Sequence, residues 1–237
     1  MKQKNISTAK GILIFLIFII YMHILLYFIY PIIKNNFPIY NKIMYWFIIG
    51  YLFFIPFFII IYFLTKLEGS NNLRNILWAL NVKKFTKDDF KFSIIGLLLI
   101  IIFSGIIFTG SIILNKIFNI RLLNTSVWFM EIPPLKWNEK IITLLVWLPM
   151  FTLNIFGEEL LWRGYIQTRT NIHWIIWSIL WLLLHLPFGI DYIILLVPIV
   201  LIIPYIYYKQ KNTLIGCLIH GLFNGVAFVL MVLGIVP

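Results

Sequence analysis

The chain has 237 residues, 62% of them hydrophobic and only 11% charged, with a mean hydropathy of +0.99. Globular chains run nearer half apolar and a quarter charged, so the charges here are too few to clothe a soluble domain of this size. In lipid, backbone polar groups must be satisfied within helices or closed barrels. Barrel strands would alternate at period two, whereas the apolar runs here are long and continuous. The fold class is therefore read as all-α, a polytopic transmembrane helix bundle.

Seven spans are predicted in chain order, at about 11–33, 44–65, 92–115, 141–167, 174–189, 190–208 and 212–235. Each is close to or above the ~20 residues a helix needs to cross the hydrocarbon. The fifth is short, and its boundary with the sixth rests on the turn-like cluster Pro187-Phe188-Gly189-Ile190-Asp191. The basic start, Met1 to Lys10, precedes an apolar run longer than a signal-peptide core and without a small-x-small cleavage site; it reads as an uncleaved first span. Between the second and third spans, Leu73, Ile76, Leu77 and Leu80 recur at helical spacing in a basic loop, the pattern of an interfacial helix. The loop 116–140 carries Trp128, Phe129, Pro133, Pro134 and Trp137, an aromatic belt by composition. No internal repeat or separate soluble domain is apparent.

The net charge of +11 does not mark a nucleic-acid binder, because the lysines and arginines lie between apolar runs and form no single stripe. They set orientation instead. With the N-terminus inside, the inner segments hold thirteen: Lys2, Lys4, Lys10, Lys66, Arg74, Lys83, Lys84, Lys87, Lys91, Arg163, Arg169, Lys209 and Lys211. The outer segments hold six: Lys34, Lys42, Lys116, Arg121, Lys136 and Lys140. The expectation is N-terminus in, C-terminus out.

Of eight acidic residues, Glu68, Asp88, Asp89, Glu131 and Glu139 are assigned to loops and Asp191 to a span boundary. Only Glu158 and Glu159 fall inside an apolar run, where adjacent carboxylates cost several kcal/mol unless paired or protonated. Glu159 precedes Arg163 by four residues, the favoured order for a helical ion pair, so these two read as a brace. Glu158 lies about 100° around the helix and is left as the free carboxylate.

His23 and His173 read as structural. His185 and His220 stand deeper, and His220 shares a helix face with Asn224. Gly216, Gly221 and Gly225 allow close helix approach in the same region. Measured from the inner ends of their spans, Glu158 and His220 lie about 12–14 Å deep and His185 about 16–18 Å. One shared site in the inner half of the bilayer follows. A carboxylate, two imidazoles and an amide suit water activation and oxyanion stabilisation. Cys217, the only cysteine, excludes an intramolecular disulfide and a Cys-rich metal site, and reads as a buried, inert thiol.

Three patterns then stand in order on three spans: Glu158-Glu159-x-x-x-Arg163-Gly164, Trp181-x-x-x-His185 and His220-x-x-x-Asn224. Together, over roughly 140–228, they resemble the CAAX protease and bacteriocin-processing (CPBP, or Abi) family of intramembrane peptidases. Leu80-Asn-Val-Lys-Lys-Phe loosely resembles its basic lead-in. The resemblance implies a membrane endopeptidase whose site opens to the cytosol, within the plasma membrane. Glu158 would activate water with help from His185, His220 and Asn224 would stabilise the oxyanion, and Glu159 and Arg163 would shape the site. It divides the chain into N-terminal helices with the basic loop, 1–139, and a catalytic core, 140–237. Trp181 stands where the family usually has Phe.

Two alternatives concern a metal: Glu158, His185 and His220 could hold Zn2+ with one position left for water, or the same residues could activate water directly. The partners implied are a peptide or protein substrate at the membrane and the lipid bilayer. Competing classes are a proton-relaying transporter, which would be supported by matching broken helices in two halves, and a non-catalytic bacteriocin-immunity protein.

Overall fold

The computed structural model describes residues 5–39, 41–120, 123, 127–130 and 132–235. Lys2, Lys4, Arg121 and Glu131, which entered the charge pattern, lie outside the described residues. Among the described residues, eight helices carry the fold: α1 Thr8–Asn36, α2 Ile43–Leu67, α3 Leu73–Ala79, α4 Lys87–Phe118, α5 Trp137–Gln167, α6 Trp174–Leu184, α7 Ile190–Gln210 and α8 Thr213–Leu233. Six of them, all but α3 and α6, are long and apolar enough to cross a membrane. With the shorter α6, this is a polytopic helical bundle of about seven spans.

The helix starts follow local chemistry. Ser7 accepts a hydrogen bond from Lys10 N at the start of α1. At α4, Thr86 Oγ1 accepts from Asp89 N while Asp89 Oδ2 accepts from Thr86 N, a reciprocal capping box. This cap begins α4 five residues before the expected span, so Asp88 and Asp89 belong to its first turn and not to a loop. Glu139 likewise sits in the first turn of α5. Helix α6 stops at Leu184, shorter than the expected fifth span. A 3-10 turn over Leu186–Phe188 and Gly189, at φ +99, joins it to α7.

The chain threads between two ends of the bundle. At the first, Ile6 N bonds Arg169 O, Glu68 pairs with Arg169, Asn212 Nδ2 donates to Asp89 Oδ2 and His173 meets the Tyr208 ring. At the second, Trp128 packs on Tyr27 and Tyr30, Trp46 packs on Phe129 and Lys140 donates to Leu233 O. The described N-terminal residues thus begin at the first end and α8 finishes at the second.

The first end is sealed by polar closure. Arg169, 1% exposed, is held by Glu68 through Nε and Nη2 at 2.8 and 2.7 Å and donates to Ala79 O. Counted as a free loop cation in the orientation pattern, it is in fact a buried, paired group. Asn81, at positive φ, donates to Thr168 Oγ1 and Tyr207 Oη, and Thr213 Oγ1 donates to Leu80 O. The short helix α3 leads into this closure: Leu73 and Trp78 are exposed, whereas Leu80, expected on the same face as Leu73, is buried. Phe129, by contrast, is no interfacial belt residue: it is fully buried against Trp46 and Phe188.

Candidate active site

The acidic pair sits where α5 changes its winding. Trp137–Glu158 is α-helical, and Glu159–Gln167 continues as a π-helix in which every residue is buried. π-helical turns inside α-helices are frequent at functional sites. The wider winding is accommodated by close approach of the chain around it. A Cβ at Gly164 would meet Leu80 O at 2.6 Å, and one at Gly216 would overlap Glu159 Oε2. Those two glycines are required by contact. The other two small residues on α8 differ in degree: Gly225 is tight against Phe151, while a Cβ at Gly221 would meet only ordinary contact with Ile155.

Glu159 is wholly buried. Its Oε2 lies 3.5 Å from Arg163 Nε, so the expected brace is present. Its Oε1 also faces His220 Nδ1 at 3.1 Å, a link between α5 and α8 that no local spacing announces. Arg163, 2% exposed, stacks its guanidinium 3.7 Å from the centre of the Trp181 ring. Among the described residues its Nε and Nη2 make no hydrogen bond; the charge is met by the Glu159 carboxylate and the indole face.

Glu158 is not the free carboxylate that helical spacing suggests. It is 3% exposed, and Trp181 donates its indole N–H to Glu158 Oε2 at 2.5 Å. Asn154 Nδ2 approaches the other oxygen, Oε1, at 3.4 Å. Trp181 is therefore the residue the sequence reading undervalued. It orders Glu158 by its edge, Arg163 by its face and the His220 ring by a T-shaped contact at 5.3 Å.

His185 caps α6, with Nδ1 at 2.8 Å from Trp181 O. As a donor to that carbonyl, Nδ1 leaves Nε2 as the unprotonated nitrogen. His220 Nδ1 is similarly engaged by Glu159. His23 and His173 lie elsewhere, one on Ile19 O and the other accepting from Ile175 N, as structural histidines. Cys217 is buried.

A cavity of about 260 Å³ joins the remaining groups. Glu158, His185, His220 and Asn224 all line it, together with Asn154 and Ser104. Glu159 and Arg163 stand behind this lining. The rest of the wall is aromatic and thioether, including Trp46, Trp147, Phe188 and Met231. The Ser104 hydroxyl is buried without a hydrogen-bond partner among the described residues. Ser93, Thr65 and Thr152 differ, each bonding the carbonyl four residues back.

Among the described residues, no group of three His, Cys, Asp or Glu side chains is gathered closely enough to hold a metal. Glu158 Oε2 is moreover engaged by an N–H donor. Glu158, His185 and His220 do not fit a three-ligand zinc site in this arrangement.

These features define a polytopic helical membrane protein with a carboxylate–imidazole–amide site enclosed between its spans. Residues 140–226 match the family described as Type II CAAX prenyl endopeptidase Rce1-like. This is the CAAX protease family that the three motifs resemble, and the match supports a membrane protease. It begins at Lys140 in the first turn of α5 and ends two residues past Asn224, spanning all three motifs. No curated protein and no solved structure matches the chain.

Proposed function

We propose that the protein is an intramembrane endopeptidase in which Glu158 and His185 activate a water molecule against a peptide carbonyl. The observation that supports this most is the common cavity, which gathers Glu158, His185, His220 and Asn224 from three helices. In this reading the Glu158 carboxylate takes a proton from water as the oxygen attacks. His185, fixed through Nδ1, presents Nε2 to the same water. His220 and Asn224 Nδ2–H stabilise the oxyanion, and Glu159 keeps His220 oriented through Nδ1. The proton then passes to the leaving amine.

Residues 140–237 carry the chemistry, and 1–139 supply the remaining walls, including Trp46 and Ser104. The substrate is a peptide or protein at the membrane, and the protein is an integral component of the plasma membrane. A transporter is not supported: prolines interrupt α2, α5 and α7 without a matching arrangement in two halves.

The test is cleavage of a membrane-presented peptide library by purified protein. Glu158→Gln is expected to abolish cleavage while insertion and thermal unfolding stay unchanged. Full activity in that variant removes Glu158 from the mechanism. An inactive wild type that still protects cells from a bacteriocin would favour the immunity reading.

A further inference from the structure

The direction of the cavity bears on which side of the membrane its substrate occupies. Along α8 the lining runs from His220 through Asn224 and Ala227 to Met231; along α5 it runs back from Glu158 through Phe151 to Trp147. Both series lead away from the first end of the bundle, toward the second. On α7 the lining residues Tyr192 and Leu195 belong to the starting turns, again at the second end. Met130, from the segment between α4 and α5, completes the wall there. In the opposite direction, the way is blocked by the buried π-helical turns and by Leu80, Thr213 and Gly164 in close contact.

Charge distinguishes the two ends. Among the described residues, and leaving aside the buried Arg163 and Arg169, the first end carries Lys10, Lys66, Arg74, Lys83, Lys84, Lys87, Lys91, Lys209 and Lys211. The second carries Lys34, Lys42, Lys116, Lys136 and Lys140, and Lys140 is spent on a carbonyl. Burial, and to a smaller degree the neighbouring Lys83, pushes the Lys211 pKa below its ordinary value. An excess of lysine and arginine in short loops marks the cytoplasmic side. The cavity and the lysine-rich loops therefore point to opposite faces. An inside N-terminus and a cytosol-facing site, both expected from the sequence, are incompatible with this arrangement.

We propose that the cavity is entered from the non-cytoplasmic face, and that its substrate is a peptide presented there, with an apolar side chain seated among Trp46, Trp147 and Phe228. The word substrate rests on the peptidase reading above; the sidedness does not. A cytoplasmic lipidated chain end is thereby excluded as substrate. The catalytic groups still lie in the half of the bundle nearer the lysine-rich end, so the substrate segment descends past the membrane midplane to reach them.

Sidedness is tested without a substrate. In a Cys217→Ser background, Lys84→Cys, Lys136→Cys and Met231→Cys are each expressed in bacterial spheroplasts and treated with a membrane-impermeant maleimide. Lys136→Cys and Met231→Cys are expected to react in intact spheroplasts, and Lys84→Cys only after lysis. Reaction of Lys84→Cys from outside, or failure of Met231→Cys to react from outside, overturns the proposal. The same labelling pattern is expected with Glu158→Gln added, so a failed peptidase reading leaves the sidedness result standing.

Discussion

Trp181 holds Glu158 by an indole N–H at 2.5 Å, and the same ring supports the Arg163 guanidinium on its face. One side chain thus orders an anion and a cation that lie five residues apart on α5. The arrangement separates two contributions that a single substitution would otherwise mix. Trp181→Phe keeps an aromatic face for Arg163 but removes the donor to Glu158. A hydrogen bond to a charged group contributes about 1.5–3 kcal/mol to stability, so Trp181→Phe is expected to lower turnover and, moderately, the unfolding temperature. Trp181→Leu removes both contacts and is expected to lower the unfolding temperature further. Equal stability loss in the two variants would show that the aromatic face has no separate role.

Glu159 calls for the opposite expectation. It faces both Arg163 and His220 from a fully buried position. Glu159→Gln leaves the guanidinium without its counter-charge, and breaking a buried ion pair on one side costs about 3–5 kcal/mol. The variant is expected to unfold at markedly lower temperature and to lose activity as a consequence. Glu158→Gln, by contrast, is expected to lose activity at unchanged stability. A stable, inactive Glu159→Gln protein would move Glu159 from support to chemistry.

Much of the bundle is legible in the sequence because apolar continuity alone reports the spans, and charges inside such a run stand out against it. That is how Glu158, Glu159, Arg163, His185 and His220 are found. The assignments that failed have physical reasons. Trp181 is one apolar-looking residue among many, and only the neighbouring carboxylate gives its N–H a purpose. Glu68 and Arg169 are separated by 101 positions, so no helical spacing can announce their pairing. The π-helical winding of Glu159–Gln167 lies where Gly164 and Gly216 meet other elements closely, and tertiary contacts of that kind are invisible in local periodicity. Asp89 reads as a loop residue until Thr86 and Asn212 are seen to use it.

The serine on the cavity wall makes a prediction about stability alone. Among the described residues the buried Ser104 hydroxyl has no hydrogen-bond partner, so removing it forfeits none of the hydrogen bonds they make. An unsatisfied buried polar group costs about 1–3 kcal/mol. Ser104→Ala is therefore expected to leave the unfolding temperature unchanged or to raise it, whereas most buried substitutions lower it. A clear drop would mean that the hydroxyl is satisfied by ordered water in the membrane.

Metal dependence follows from the donor arrangement. With no three ligating side chains gathered among the described residues, activity is expected to survive prolonged treatment with 1,10-phenanthroline or EDTA. Elemental analysis of active protein is expected to find far less than one zinc per chain. Stoichiometric zinc, lost together with activity and restored with it, would establish a metalloprotease and require Glu158, His185 and His220 to close around the ion.

Two glycines on one helix supply the sharpest structural control. A methyl group at Gly216 overlaps Glu159 Oε2, whereas one at Gly221 meets only Ile155 Cγ2 at 3.8 Å. In the middle of a helix, alanine is favoured over glycine by about 0.5–1 kcal/mol, so Gly221→Ala is expected to be neutral or mildly stabilising. At Gly216 that gain is outweighed by overpacking, typically about 1–3 kcal/mol, because Glu159 has no room to retreat. Moving Glu159 also disturbs the His220 ring it orients, so Gly216→Ala is expected to lose both stability and turnover. Unfolding in detergent and peptide cleavage, measured on both variants, check the pair. Equal behaviour would mean that α8 shifts freely against α5, and that the Glu159–His220 contact does not fix the site.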